Sequence, residues 1–449
     1  MDAILERVSA FSHQLRYDDL SSAAVHECKR HIIDTVGCAL GGFSAEPSRI
    51  ARAIAMRSPC ENGARIFGTL DRSTVELAAF ANGVMIRYLD FNDATGSGGG
   101  HPSDALSALL AVAESTHADG KTFLTATALA YEIFLGFFAA VRIGDTGWDH
   151  VVYTVLAAAA GVSKIMNLGP KATANALSLA LTPNMALGVV RRGDLSMWKG
   201  GAGANASRNA VFAAQLAAEG MSAPDSVFEG ENGVQKAVGK FEWPPFAGAD
   251  RPFRILGTPI KLYPCEYHGQ SPIEAMLAVR SGIDPDDIEK IVVRTYWFAW
   301  KVIGSGAEKW APANRETADH SIPFLICAAL LDGKVDGDTF SASRISDARV
   351  RTLMHKVQVI HDEALDKLQP HSNPCRMEIT LRNGKKISSN TDYPKGHIKN
   401  PASDADIEKK LVSLNNGMLT NAQVAKVLDL CWRLEELEDL SELVSALRI

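Results

Sequence analysis

Phe241-Glu242-Trp243-Pro244-Pro245-Phe246 divides this 449-residue chain into two kinds of sequence. Upstream of it, Ala, Leu and Val recur at the 3.6-residue spacing of amphipathic helices. The pattern predicts helices over 2–15, 20–40, 74–89, 103–118, 121–142, 150–166, 170–182 and 205–219. Gly169-Pro170 and Thr182-Pro183 punctuate them. Downstream, strand signals begin. Ile291-Val292-Val293-Arg294-Thr295-Tyr296 is β-branched and follows the break Asp284-Pro285-Asp286. Val357, Val359 and His361 alternate with Gln358 and Ile360. Met377–Ile387 alternates around Asn383-Gly384, which predicts a β-hairpin. Helical patterns at Gln270–Arg280 and Ser321–Leu331 lie between these strands. Ser403, followed by Asp404 and Asp406, then offers an N-cap to helices that continue to the C-terminus. The expected fold is mainly α with a smaller α+β domain. A helical domain over 1–250 carries an α+β lid over 251–395, and C-terminal helices over 396–449 rejoin the first domain.

Composition narrows the function classes. The net charge is −6, with both signs mixed along the chain. Without a basic stripe, nucleic acid is not an expected partner. MDAILERVSAFSHQLRYDDL reads as an amphipathic start rather than a targeting peptide. The apolar run Val151–Val162 is too short to span a bilayer, so no membrane partner is expected. The seven cysteines, at 28, 38, 60, 265, 327, 375 and 431, form no CxxC pair. They read as reduced thiols of a cytoplasmic protein without an iron–sulfur signature. A GxSxG elbow and an HExxH metal motif are both absent, and Gly120-Lys121-Thr122 lacks the upstream glycine of a P-loop. Gly201–Ala206 imitates a dinucleotide fingerprint, but no strand precedes it. No cofactor and no metal are therefore expected.

Four clusters can carry chemistry. Asp90, Asn92 and Asp93 precede the glycines Gly98–Gly100 and His101. Ser103 reads as the N-cap of a helix through Leu106, Leu109, Leu110 and Ala113, which would place His101 at an anion-favouring helix N-terminus. The plainer alternative is a glycine-rich turn with one exposed histidine. The second cluster holds Arg191, Arg192 and Lys199 within nine residues, beside glycines, and suits several carboxylates. Taken singly, Arg191 and Arg192 read as solvated side chains. Lys199 is the stronger candidate, because Trp198 and the glycines suggest a packed setting. The third, Lys261–Ser271, gathers Lys261, Tyr263, Cys265, Glu266, Tyr267 and His268. Cys265 reads as packing, with Glu266 and His268 sharing the other face. The fourth comprises Trp148-Asp149-His150 with Tyr153, and Asp319-His320, where His320 reads as a capping or core histidine.

In this order the clusters resemble the MmgE/PrpD family. The resemblance runs end to end through LDFND…GHPSD (Leu89–Asp104), GWDH (147–150), SMWKG (196–200), YPCEYHGQ (263–270), ADHS (318–321) and YPKGHIKNP (393–401). It implies a helical domain with a smaller α+β domain, a homodimer, a site in the cleft between domains, and dehydration without an iron–sulfur cluster. The family includes 2-methylcitrate dehydratase, cis-aconitate decarboxylase and iminodisuccinate epimerase. The run Pro264–Gln270 is similar to the dehydratase branch; the decarboxylase has a histidine at the position matching Glu266. Two departures stand out. Ala94 separates Asp93 from Thr95, and the loop before His101 is unusually rich in glycine.

The resemblance implies a lyase that dehydrates a small, 2-methylcitrate-like hydroxy-polycarboxylic acid. An epimerase or decarboxylase of a related acid, and a non-catalytic carboxylate-binding helical protein, are the alternatives. Abstracting a proton beside a carboxylate and expelling a hydroxyl needs a base, an acid and cationic stabilisation. The expected catalytic residues are His101 for acid/base work, Asp93 to bind or orient, Lys199 to steady the developing charge, and Glu266 and His268 for the opposite proton transfer. The expected substrate-binding residues are Asp90, Thr95, Ser103, Lys261, Arg192, Tyr153 and His150.

Overall fold

The computed structural model describes residues 1–96 and 98–449; Ser97, inside the glycine-rich stretch, lies outside the described residues. Helices dominate the first half: α1 (Ala3–Gln14), α2 (Ser22–Gly42), α3 (Glu46–Ala55), α4 (Val75–Tyr88), α5 (Leu106–Ser115), α6 (Gly120–Ala140), α7 (Val151–Ile165), α8 (Pro170–Leu181) and α9 (Trp198–Ala218). α3 and the ribbon of β1 (Pro59–Arg65) with β2 (Arg72–Ser73) escape the periodicity reading. α3 buries only Ser48, Ala51 and Ala55, while its Ile50 and Ile54 stay exposed.

α9 begins at Trp198 rather than at 205. Its glycines look like helix breakers, yet they serve close packing. A Cβ on Gly203 would stand 2.3 Å from the Asp104 carboxylate, and one on Gly83 of α4 would stand 2.9 Å from Ala204 of α9. Glycine thus lets α4 and α9 meet nearly backbone to backbone. The expected helix at 103 starts later, at Leu106, after a 3₁₀ turn over Pro102–Ala105. Ser103 sits inside that turn and does not cap it.

Two large apolar cores and two small clusters form among the described residues. The first joins residues of α1–α9 to Ile407, Leu411, Leu430, Leu434 and Leu443 near the C-terminus. The second gathers Cys265, Ile273, Phe324, Leu325, Val350 and the sheet residues Ile291, Val293, Met377 and Ile379. Its sheet has the order β4-β3-β5-β6, with β3 (Ile288–Thr295) parallel to β4 (Val357–His361) and antiparallel to β5 (Cys375–Leu381). β5 alternates buried and half-buried residues and pairs with β6 (Lys386–Thr391) through a turn holding Gly384 at φ +81°. The Met377–Ile387 hairpin is therefore present, with its turn at Asn383-Gly384.

α6 is longer than the Val151–Val162 run, and by length and composition it could cross a membrane. Here 78% of its apolar window is buried inside the protein, so it serves as a central core helix. Its start is pinned to the C-terminal segment. The Gly120 N–H donates to Leu437 O at 2.8 Å, and a Cβ on Gly120 would fall 1.5 Å from Leu434 O. Gly120→Ala is expected to destabilise the protein by about 1–3 kcal/mol, the usual cost of overpacking, measurable by denaturant titration. The cysteines are all free thiols, and only Cys60 is not fully buried.

Candidate active site

Between the two cores lies a cavity of about 470 Å³. The helical side contributes Arg87, Asp90, His101, Phe138, Arg142, His150, Arg191 and Arg192. The α+β side contributes Glu266, Tyr267, Trp297, Phe298, Lys301, Lys309 and His320, and Lys261 stands where the chain passes from one to the other. Gly98, Gly99 and Gly100 line it with φ of +79°, +106° and +136°. A Cβ on Gly100 would stand 2.6 Å from the Phe134 ring, so both conformation and space require glycine there.

Asp90 is the hub of the wall. It follows the last turn of α4 with φ +51°, a strained conformation for a residue with a side chain. Its Oδ1 accepts from Lys261 Nζ at 2.6 Å and lies 2.9 Å from Arg87 Nη1; its Oδ2 lies 3.1 Å from Lys199 Nζ. Lys199 Nζ also donates to both oxygens of Asp319, each at 2.8 Å. Burial alone would raise the Asp90 carboxyl, but Arg87, Lys261 and Lys199 outweigh it and hold its pKa well below the usual range. Three buried cations, Arg87, Lys261 and Lys199, thus share the buried carboxylates of Asp90 and Asp319, with Asp104 4.0 Å from Arg87. Asp90, Asp319 and His320 come close enough together to resemble a metal trio. Their donor set does not fit a cation, because the Lys199 ammonium already bridges the two carboxylates.

His101 is held at both ring nitrogens. Nδ1 faces Asp93 O at 2.5 Å, and Nε2 lies 2.7 Å from Arg87 Nη2. Guanidinium can only donate, so Nε2 accepts and Nδ1 carries the proton. Burial, reinforced by Arg87 and Lys261, holds the pKa of His101 well below that of ordinary imidazole. His150 stands edge-on to it, with ring centroids 5.5 Å apart, and burial pushes it down to about 3. His320 Nδ1 meets Asp319 Oδ1 at 2.6 Å, and burial with Lys199 nearby lowers it as well. Glu266 moves the other way: burial raises its carboxyl, only partly offset by His320 and Lys261. Imidazoles lowered from their ordinary pKa and a carboxyl raised from its own thus share one cavity.

Several expected residues are placed otherwise. Lys199 does not line the cavity; it is buried behind Asp90 and Asp319, so it shapes the field rather than touching a ligand. Trp198, expected to bury it, is 50% exposed; Asp90 and Asp319 hold the Lys199 ammonium. Lys261 reaches the wall, but its donors go to Asp90 O and Oδ1. The Asp93 carboxylate turns away, accepting from Ser103 Oγ at 2.5 Å and Tyr131 Oη at 2.6 Å, and only its carbonyl serves His101. Ser103 is spent on that bond. Thr95 closes the loop by donating its N–H to Gly100 O, outside the lining. His268 lies behind the wall with Nδ1 on the Tyr296 hydroxyl, and burial pushes it down to about 3. Tyr153 presents its ring, but its hydroxyl donates to Val141 O and accepts from Ile143 N–H. Arg192, His150, Glu266, His101 and Asp90 do line the cavity.

Several lining groups escaped the sequence reading or were placed elsewhere by it, Arg142 and Lys301 among them. Arg87 went unnamed, although its i,i+3 spacing to Asp90 across a helix end was the available signal. His320 is a wall residue held by a buried aspartate, rather than a core or capping histidine. Arg191 is not merely solvated: it grips both oxygens of Asp149 at 3.1 Å and donates to Lys199 O at 2.8 Å.

Residues 6–245 match the MmgE/PrpD N-terminal domain, and residues 263–434 match the MmgE/PrpD C-terminal domain. The chain belongs to the MmgE/PrpD family. Among similar proteins is the mitochondrial 2-methylcitrate dehydratase of Yarrowia lipolytica, 27% identical over 95% of this chain and 86% of the relative. The 2-methylcitrate dehydratase of Escherichia coli K12 is 28% identical over 88% of this chain and 86% of its own. The alkylcitrate dehydratase phiI of a fungal species (strain ATCC 74256) is 30% identical over 90% and 86%. In this MmgE/PrpD chain the cavity draws on both matched regions, with His101 in the N-terminal one and Glu266 and His320 in the C-terminal one.

Proposed function

We propose that this protein is a carbon–oxygen lyase that dehydrates a hydroxy-polycarboxylic acid resembling 2-methylcitrate, by acid/base chemistry without a metal or iron–sulfur cluster. One observation carries the reading: on the walls of one cation-rich cavity, His101 is held neutral while Glu266 is held towards its protonated form. His101 Nε2 takes the proton beside a substrate carboxylate. Glu266 gives its proton to the departing hydroxyl, which leaves as water. Arg192, Arg142 and Lys301 at the cavity wall meet the substrate carboxylates, and the buried cations around Asp90 steady the enolate-like charge. His320, held by Asp319, is a third lining imidazole with a lowered pKa. The dehydratase names of the relatives support the same reaction class.

Purified protein incubated with a panel of citrate-like acids is expected to yield unsaturated acids lacking one water, read by mass spectrometry. An epimer without loss of water contradicts dehydration. The pH profile has a defined sign. The His101 pKa lies well below 6.5, so its neutral form persists far into acid and the acid limb of kcat/KM falls well below pH 6.5. Glu266 must keep its proton, so the rate declines as pH rises through a pKa lifted above 4.5. Glu266→Gln is expected to lower kcat by about 10²-fold or more and to remove that decline.

A further inference from the structure

The base assigned above is covered. His101 Nε2, the atom needed to accept a substrate proton, is occupied by a hydrogen bond from Arg87 at 2.7 Å. Arg87 is itself buried, lies 2.9 Å from Asp90 Oδ1 and 4.0 Å from Asp104 Oδ1, and lines the cavity beside His101. Its guanidinium carries five N–H donors and no acceptor. Nη1 is ion-paired with Asp90 at 2.9 Å, and Nη2, the guanidinium nitrogen that now covers His101, can turn towards an arriving carboxylate. Resting on the reading of this cavity as a hydroxy-polycarboxylate site, we propose that Arg87 is a substrate-operated cover on the catalytic base. A substrate carboxylate takes the Arg87 donor, and the lone pair of His101 Nε2 is freed only when the substrate is in place.

The physical chemistry favours the exchange. A bond from guanidinium to carboxylate is charge-assisted at both ends, whereas the bond to a neutral imidazole is charged only on the donor. Asp93 O keeps its bond to Nδ1–H throughout, so the ring holds its orientation and its tautomer while Nε2 changes partner. In the empty protein the cover leaves His101 no free lone pair towards solvent. In the occupied protein the same arginine binds substrate, so binding and activation of the base are one event. Atoms balance without a further reactant: Nη2–H leaves Nε2 for a carboxylate oxygen, and Nε2 then accepts the substrate carbon-bound proton.

The test uses the whole protein labelled with ¹⁵N at histidine, with His101→Gln to identify the His101 resonances. The probe is propane-1,2,3-tricarboxylate, which has the carboxylates but no hydroxyl to lose. The free protein is expected to show His101 as the Nδ1–H tautomer with a hydrogen-bonded Nε2. Saturating probe is expected to shift Nε2 while Nδ1–H stays in place. Arg87→Lys, which keeps the charge but not the fork, is expected to raise KM for 2-methylcitrate about 10–100-fold and to abolish the probe-induced shift of Nε2. Binding of the probe with an unchanged Nε2 resonance, or an Nε2–H tautomer in the free protein, overturns the cover. Failure of this and every other polycarboxylate to bind, judged by thermal shift, instead overturns the carboxylate reading of the cavity.

Discussion

His101→Gln lowers kcat by about 10²–10⁴-fold in a protein that still folds, the usual contribution of a positioned acid/base group. Glutamine is the informative choice. Its amide oxygen can accept from Arg87 and its NH₂ can donate to Asp93 O, so the two bonds that hold the imidazole are largely kept. What it cannot do is take up a proton. Alanine would leave a buried guanidinium donor and a backbone carbonyl without their partner, at a cost of about 1–3 kcal/mol, and would mix a folding defect with a chemical one. Turnover measured beside a thermal melt separates the two. Near-normal kcat in a correctly melting His101→Gln protein removes His101 from the mechanism.

Lys199→Ala acts through the fold and the field together. Lys199 is 1% exposed and lies between Asp319 at 2.8 Å and Asp90 at 3.1 Å. Without its ammonium, two buried carboxylates face each other with one less counter-charge, and breaking such an arrangement costs about 3–5 kcal/mol. A loss of that size lowers Tm by roughly 6–20 °C for domains of this order of size. The same change removes positive charge from behind the cavity wall. Molecules that remain folded below the new Tm are expected to lose at least ~100-fold in kcat. The double variant Lys199→Met with Asp319→Asn, which removes both partners, is expected to recover much of the Tm and little of the rate. Recovery of both would mean that Lys199 is structural only.

How much of this was legible depends on the range of the interaction. The helices α1, α2 and α4 to α8 announce themselves because apolar residues recur at helical spacing, and the β5–β6 hairpin does so by alternation around Asn383-Gly384; α3 does not. The start of α9 is hidden because Gly200, Gly201 and Gly203 resemble breakers; the close approach of Trp198 explains Gly201 and that of Asp104 explains Gly203. At the site, His101 and Glu266 stand out because polar residues crowd around them in sequence. The partners that set their protonation do not. Asp319 and Lys199 are 120 positions apart, and Lys261 and Asp90 are 171 apart. Counting the charges of one cluster therefore suggested that Lys199 and Lys261 were free for substrate, when each was already committed to a distant carboxylate. Arg87 was hidden for another reason: at the end of an apolar helix it reads as an ordinary C-terminal cation, favourable to the helix dipole.

The glycine loop now has a structural meaning. Gly98, Gly99 and Gly100 bring backbone to the cavity wall, where side chains would strike Phe298, Phe138 and Phe134. The inserted Ala94 is buried on the same wall, its N–H donating to Pro259 O. Both departures from the family pattern therefore border the space a substrate would fill.

The central claim is that His101 abstracts a proton from a carboxylate substrate in this cavity and a hydroxyl then departs. The most direct measurement follows ultraviolet absorbance with 2-methylcitrate as substrate, for the unaltered protein and for His101→Gln side by side. A steady rise is expected for the former, as the carbon–carbon double bond forms, and a rate at least ~100-fold lower for the latter. No rise in the unaltered, folded protein with 2-methylcitrate or any related acid, while those acids still raise its Tm, would contradict the account and mark the cavity as a carboxylate-binding site without chemistry.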